Sequence, residues 1–185
     1  MSAHCDPADA AKTVTGDVTL VLVGRPNAGK SSVYNLLTGG DAKVGNFPGV
    51  TVDVLEGEAA WGDARLRVID LPGLYSLAPR AAHTEDAVAA RFLEELRAKG
   101  GATVLVQVMD GATPSMGLRL TRELAAVGLP LVLAITRRDM LEREGRSLDV
   151  GALEDALGVR AALLDARRGE GRDDLLALVA RASRE

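Results

Sequence analysis

Gly24-Arg25-Pro26-Asn27-Ala28-Gly29-Lys30-Ser31 constrains this chain more than any other stretch. The eight residues fit the pattern G-x-x-x-x-G-K-[ST]. An apolar run, Val18–Val23, precedes them, and a helix-like start, Ser32–Leu37, follows. A strand, a glycine loop and a helix in that order form a phosphate cradle. Glycines let the backbone curl, so that successive N–H groups point inward at phosphate oxygens. The helix N-terminus adds its partial positive charge. In such a loop Lys30 reaches the β- and γ-phosphates, and the Ser31 hydroxyl binds Mg²⁺. Gly24, Arg25, Pro26, Asn27, Ala28, Gly29, Lys30, Ser31 and Ser32 are therefore candidate nucleotide-binding residues.

The loop fixes the strand–helix alternation expected of the rest. Strands are read at Val18–Val23, Val52–Ala60, Leu66–Asp70, Thr103–Met109, Leu131–Thr136 and Arg160–Leu164. Helices are read at Lys30–Leu37, Glu85–Lys99, Gly117–Val127, Val150–Leu157 and Asp173–Ala182. Three of the strands are near-continuous apolar runs, as expected of parallel strands covered on both faces. The short link between Val52–Ala60 and Leu66–Asp70 reads as a hairpin, which makes one edge strand antiparallel. Thr84 is an N-cap candidate, and Gly100-Gly101 ends the following helix. The expected fold is a three-layer α/β/α domain around a six-stranded, mostly parallel sheet with one antiparallel edge strand. Ligands belong at the carboxyl ends of its strands.

Bulk composition narrows the partners. The chain has 185 residues, enough for one domain with a proper core, placed at residues 17–185. Residues 1–16 read as a loose polar tail without the apolar segment of a signal peptide. A net charge of −4 and the lack of a Lys/Arg cluster argue against nucleic acid as the main partner. A single cysteine, Cys5, excludes an internal disulfide and fits a reducing, cytoplasmic setting. No apolar run reaches the ~18–20 residues of a membrane helix. His4, Cys5 and Asp6 read as frayed tail and His83 as an exposed side chain, rather than as metal ligands.

Further polar residues complete a nucleotide site. Asp70-Leu71-Pro72-Gly73 ends the third expected strand. There an aspartate holds Mg²⁺ through water, and the Gly73 N–H meets a γ-phosphate. In the glycine-rich stretch Val44–Thr51, Thr51 is placed to give Mg²⁺ a second hydroxyl, with Gly49 and Val50 beside it. Asp139, in Thr136-Arg137-Arg138-Asp139, is placed to accept from guanine N1–H and the 2-amino group, a donor pair that adenine lacks. Asp165-Ala166-Arg167 follows the last strand, where a backbone N–H would meet guanine O6. Lys30, Thr51 and Gly73 are the candidate catalytic residues, together with Asn27.

The stretches GRPNAGKSS, VGNFPGVTVD, DLPGLYSL and GLPLVLAITRRDMLEREGRSLDV through RRGEG resemble one family. They look like the N-terminal G domain of bacterial ferrous iron transport protein B, a P-loop GTPase of the TrmE/Era-like group. The likeness runs from about Val18 to Ala182. It implies binding of GTP and GDP, K⁺-stimulated hydrolysis of GTP, and a switch that regulates Fe²⁺ uptake at the cytoplasmic face of the inner membrane. It also implies a helical regulatory domain and a membrane permease, both absent from these 185 residues. By resemblance, Asn27 and the backbone carbonyls near Gly45 and Phe47 would hold the K⁺. The sequence departs from the pattern at three points. Thr136 stands where the fourth GTPase box has asparagine, whose amide braces the P-loop and guanine N7. Arg137 is left to lie over the base. Asp165 replaces the usual serine of the fifth box. Leu74 follows Gly73 where Ras-like enzymes place a water-orienting glutamine. Two other readings compete: a degenerate G domain that binds nucleotide with little hydrolysis, and a stand-alone TrmE/Era-like GTPase.

Overall fold

A computed structural model of the chain describes residues 18–41, 43–45, 54–62, 64–78 and 84–184. The expected tail and residues 46–53, which include Phe47, Gly49, Val50 and Thr51, lie outside the described residues, as does His83.

The strands are β1 Val18–Gly24, β2 Lys43–Gly45, β3 Val54–Trp61, β4 Ala64–Asp70, β5 Thr103–Asp110, β6 Leu131–Thr136 and β7 Arg160–Leu163. They form one sheet in the order β2-β3-β4-β1-β5-β6-β7. All six expected strands are present, and a three-residue seventh is added. The β4·β1, β1·β5, β5·β6 and β6·β7 pairs are parallel. The hairpin strand β3 runs antiparallel, as expected, but is not the edge, because β2 pairs along its outer side. β2 escaped the sequence reading because three residues are too few to show an alternation.

The helices are α1 Lys30–Thr38, α2 Glu85–Lys99, α3 Leu118–Ala125, α4 Arg138–Arg143, α5 Val150–Leu157 and α6 Arg172–Ala182. The Thr84 side chain accepts from the Ala87 N–H at the start of α2, as expected of an N-cap. α3 is shorter than predicted: it starts one residue later, after a 3₁₀ turn at Pro114–Met116, and ends at Ala125, where the chain turns over 126–128. α4 was not foreseen. It has six residues and opens on charged side chains, so no apolar periodicity marks it.

The core explains why the central strands are apolar throughout. Along β1, Leu20 and Leu22 pack into one layer with Val33 and Leu37 of α1 and Leu175, Leu176 and Val179 of α6. Val21 and Val23 face the opposite layer, with Phe92 and Leu93 of α2 and Leu120 and Leu124 of α3. The period of two sends neighbours to opposite faces, and both faces are covered. All four β1 side chains are fully buried. Each such aliphatic side chain contributes roughly 1.5–3 kcal/mol relative to exposure. Burial on both faces thus anchors β1, and the loop that follows it is fixed to the sheet's carboxyl end.

Candidate nucleotide site

The phosphate loop begins where β1 ends. Gly29, at φ 94°, stands immediately before α1 in left-handed backbone, so α1 starts at Lys30 with its first N–H groups facing the loop. Its partner in the loop is Thr136 at the end of β6. A side chain at position 29 would sit 3.1 to 3.3 Å from the Thr136 side chain. The Thr136 hydroxyl, buried, donates to the Ala28 carbonyl at 2.7 Å, with the Met109 carbonyl a second acceptor at 3.2 Å. This corrects one expectation. The missing asparagine amide does not leave the P-loop unbraced, because a hydroxyl makes the bond to the loop. Thr136→Val is expected to lose that bond with no change of shape. It should lower stability by about 1–3 kcal/mol, since the buried Ala28 carbonyl then has no donor. Denaturant unfolding without nucleotide measures this, and an unchanged midpoint would show that the brace carries no weight.

Lys30 and Asp70 meet directly. Lys30 Nζ lies 2.5 Å from Asp70 Oδ1, with both side chains largely shielded from water. Burial pushes the Asp70 carboxyl above its ordinary value, and Lys30 pulls it back only in part. A raised acid binds its proton more tightly in the folded chain than in the unfolded one. Ionising Asp70 therefore costs stability as pH rises through its folded value. After Asp70 the chain runs on beside β1 and into the loop. Leu71 donates to the Leu22 carbonyl at 3.1 Å and Leu74 to the Gly24 carbonyl at 2.9 Å. A Cβ on Gly73 would come within 2.8 Å of the Pro26 ring, so only glycine lets this turn press against the P-loop. Leu74 is fully buried in the α2/α3 layer, a core side chain rather than one turned to the phosphates.

Downstream, Glu123 on α3 ties the segment down. One carboxylate oxygen accepts from the Ser76 hydroxyl at 2.9 Å and from Arg119 Nε at 2.8 Å. The other accepts from the Leu77 N–H at 2.6 Å. Burial pushes this carboxyl up, but bonds from Arg119, the Leu77 N–H and Ser76 outweigh that and hold it below its ordinary 4.5. The anchor is complete above that pH and is lost as pH falls through the depressed folded value. Glu123→Gln should speed amide exchange at Leu77 and Ala78, and its stability deficit against the parent should shrink below about pH 4.5. A deficit independent of pH would refute the anchor. Nothing in the sequence singles out Glu123, which reads as one turn of an exposed i,i+4 pair with Arg119.

Two of the clefts along the P-loop gather the expected ligands. One is lined by Arg25, Pro26, Asn27, Lys30, Ser31 and Gly73, the other by Thr136, Asp139, Asp165, Ala166 and Arg167. Gly29, Ser32 and Arg137 line both. The residues read as phosphate ligands and those read as base ligands thus fall into two adjoining clefts around one loop. Asp139 sits in the first turn of α4, beyond Arg137, which takes left-handed backbone at φ 63°. Arg137 reaches back to the Asn27 carbonyl at 3.2 Å and to Asp110 Oδ2 at 3.1 Å, so its guanidinium braces the loop rather than lying free for a base. Asp110 was not foreseen; it also accepts from the Ala112 N–H at 2.9 Å. Arg25 stacks over the Tyr75 ring, 5.1 Å from its centroid, and donates to the Met116 carbonyl.

Asp165 turns inward and is 2% exposed. Its Oδ1 accepts from the N–H groups of Arg167 at 3.0 Å and Arg168 at 3.2 Å, and its own N–H donates to the Glu170 carbonyl. The carboxylate thus folds the fifth-box loop. The Ala166 N–H is left without a partner among the described residues, at the wall where an acceptor on a base would meet it.

Metal ligation is tested by the donors. Ser31, at the second position of α1, and Asp70 supply a hydroxyl and a carboxylate beside the phosphate cleft, the hard oxygens that suit Mg²⁺. Thr51 lies outside the described residues. Of the K⁺ set, Asn27 is exposed on the loop at φ 64°, Gly45 lies on β2 opposite Val54, and Phe47 lies outside the described residues. No described helix is long and apolar enough to cross a membrane.

Comparison with known proteins agrees with this geometry. The family model for ferrous iron transport protein B matches residues 18–179. The Fe(2+) transporter FeoB of Salmonella typhimurium is 35% identical over 156 residues, which are 83% of this chain and 20% of that protein. The chain thus spans about a fifth of the length of the curated relatives it matches. The G domain of the T. maritima FeoB iron transporter superposes with a TM-score of 0.77 at 29% identity, covering 90% of this chain and 99% of that one. A variant of S. thermophilus NFeoB bound to GDP superposes with a TM-score of 0.76 at 31% identity, covering 89% and 62%. With the P-loop, both clefts and these likenesses in agreement, the chain belongs to the ferrous iron transport protein B family and corresponds to its G domain.

Proposed function

We propose that this domain binds GTP and GDP and hydrolyses GTP to GDP and phosphate, with stimulation by K⁺. Its nucleotide state would regulate Fe²⁺ uptake through the helical regulatory domain and permease of a longer transporter, from the cytoplasmic side of the inner membrane. The observation that carries the reading is the pair of adjoining clefts around one P-loop, with Lys30 and Asp70 in contact at the phosphate side.

The Lys30–Asp70 contact, the two clefts and the family likeness support the following roles. Arriving phosphates draw Lys30 away from Asp70, since a polyphosphate outbids a single carboxylate for the ammonium. Asp70, Ser31 and Thr51 would then hold Mg²⁺. Backbone N–H groups of the loop and of Gly73 face the phosphate oxygens. Asn27, with carbonyls near Gly45 and Phe47, would hold K⁺. When bound, the two cations supply positive charge against the β- and γ-phosphates, where charge develops during transfer. Leu74 is committed to the core, so orientation of the attacking water falls to backbone groups. Asp139 and the Ala166 N–H select guanine.

The reading of a weak switch with little turnover rested on Thr136 and Asp165. Both side chains hold their loops here, Thr136 through Ala28 and Asp165 through Arg167 and Arg168. Titration with fluorescently labelled GDP, GTP and ATP tests the proposal. Guanine nucleotides are expected to bind more tightly than ATP, and equal affinity would refute the base assignment.

A further inference from the structure

Arginines line and flank the base cleft, and they are not equivalent. Arg137 is engaged with Asp110 and the Asn27 carbonyl. Arg138 pairs with Glu142 and Glu170, and Arg168 with Glu142 and Asp165, so these two tie α4 to the fifth-box loop. Arg143 differs. It sits one turn beyond Asp139 on α4, and its Nη2 donates to Asp139 Oδ2. The two side chains project from the same helix face, and both line the base cleft. The Asp139 side chain is 16% exposed and that of Arg143 is 67% exposed.

Guanine presents two donors to this aspartate, N1–H and the 2-amino group. A carboxylate accepts both best when each oxygen offers an uncommitted lone pair. The Arg143 guanidinium takes one lone pair of Oδ2 and offsets part of its charge, so Oδ2 is the weaker acceptor of the two.

We propose that Arg143 is a specificity-determining residue that competes with guanine for Asp139, weakening the base reader in the nucleotide-free domain. The proposal rests on the guanine reading of Asp139 given above. Full pairing with guanine then costs part of this internal ion pair, and the 2-amino group gains less while Arg143 shares its oxygen. Exposed i,i+4 pairs are weak, so the competition is worth a few-fold in affinity rather than orders of magnitude.

The experiment compares GDP with inosine diphosphate, which lacks only the 2-amino group. Dissociation constants are measured for the parent domain, Arg143→Gln, Arg143→Ala and Asp139→Asn, with ADP as the reference base. Removing Arg143 in either way is expected to tighten GDP roughly two- to fivefold and inosine diphosphate less. The preference for GDP over inosine diphosphate therefore rises. The same or weaker GDP binding in both Arg143 variants, or an unchanged preference, overturns the proposal. Asp139→Asn separates the two levels of the argument. If it loses the preference for GDP over ADP, the guanine reading stands and the Arg143 result decides alone. If it keeps that preference, the guanine reading fails and this proposal falls with it. Arg143 lies on the surface, so neither substitution threatens the fold.

Discussion

Lys30→Ala is expected to abolish GTP hydrolysis and to weaken triphosphate binding by one to two orders of magnitude. Two losses combine. The phosphates lose charge-assisted hydrogen bonds, each contributing about 1.5–3 kcal/mol in a shielded site. The transition state loses positive charge where negative charge develops, which in comparable sites costs ~10²–10³ in rate. The structure adds an effect that does not involve nucleotide. Lys30 is the partner of Asp70, which is 7% exposed. Removing the ammonium strands a carboxylate already held above its ordinary value by burial. The nucleotide-free variant should therefore be destabilised by about 3 kcal/mol, near the lower end for breaking a buried pair. Asp70→Asn added to Lys30→Ala should recover most of that stability and none of the activity. Phosphate release, GTP-analogue binding and urea unfolding are the measurements. Unchanged turnover in Lys30→Ala would remove the P-loop reading. Unchanged stability would show that the Lys30–Asp70 contact is incidental.

Hydrolysis should run at least ~10-fold faster in KCl than in NaCl, about 1.4 kcal/mol of barrier. The reason is what the phosphate cleft lacks. Leu74 is buried in the core, and both arginines of the phosphate cleft are committed, Arg25 to Tyr75 and Met116 and Arg137 to Asp110 and Asn27. Asn27 remains exposed on the loop, in left-handed backbone. Na⁺ is smaller than K⁺ and bridges the same ligands poorly. Asn27→Ala should erase the difference between the salts while leaving GDP binding intact. Ionic strength must be matched, because screening alone alters the binding of a charged ligand. Equal rates in the two salts would end the K⁺ mechanism and favour a weak switch over an enzyme.

What was legible in the sequence has a common physical character. β1, β5 and β6 were readable because strands covered on both faces need apolar side chains at every position, and a run of such residues is a local signal. The P-loop was readable because its chemistry depends on glycines and a lysine at fixed spacing in one continuous stretch. Asp70-Leu71-Pro72-Gly73 became informative for the same reason, once its place after the hairpin was recognised. The short elements were not legible. β2 has three residues and α4 has six, too few for a period to repeat.

Contacts between distant segments were decided only by tertiary structure. By residue type, Thr136 is a lost asparagine amide; in three dimensions its hydroxyl meets the Ala28 carbonyl across 108 positions of chain. Asp165 by type is a misplaced charge, yet it turns inward and folds its own loop through Oδ1. Glu123 looks like an ordinary helix-surface residue, and packing of α3 brings it under Ser76 and Leu77. Arg143 was invisible until the base cleft formed around Asp139. The sequence by itself determined the fold class and the phosphate-binding chemistry, because both are written in local patterns of apolar residues and glycines. The tertiary structure decided how the loops are braced and which charge each ionisable side chain faces, because hydrogen bonds and ion pairs depend on distances that no sequence spacing records.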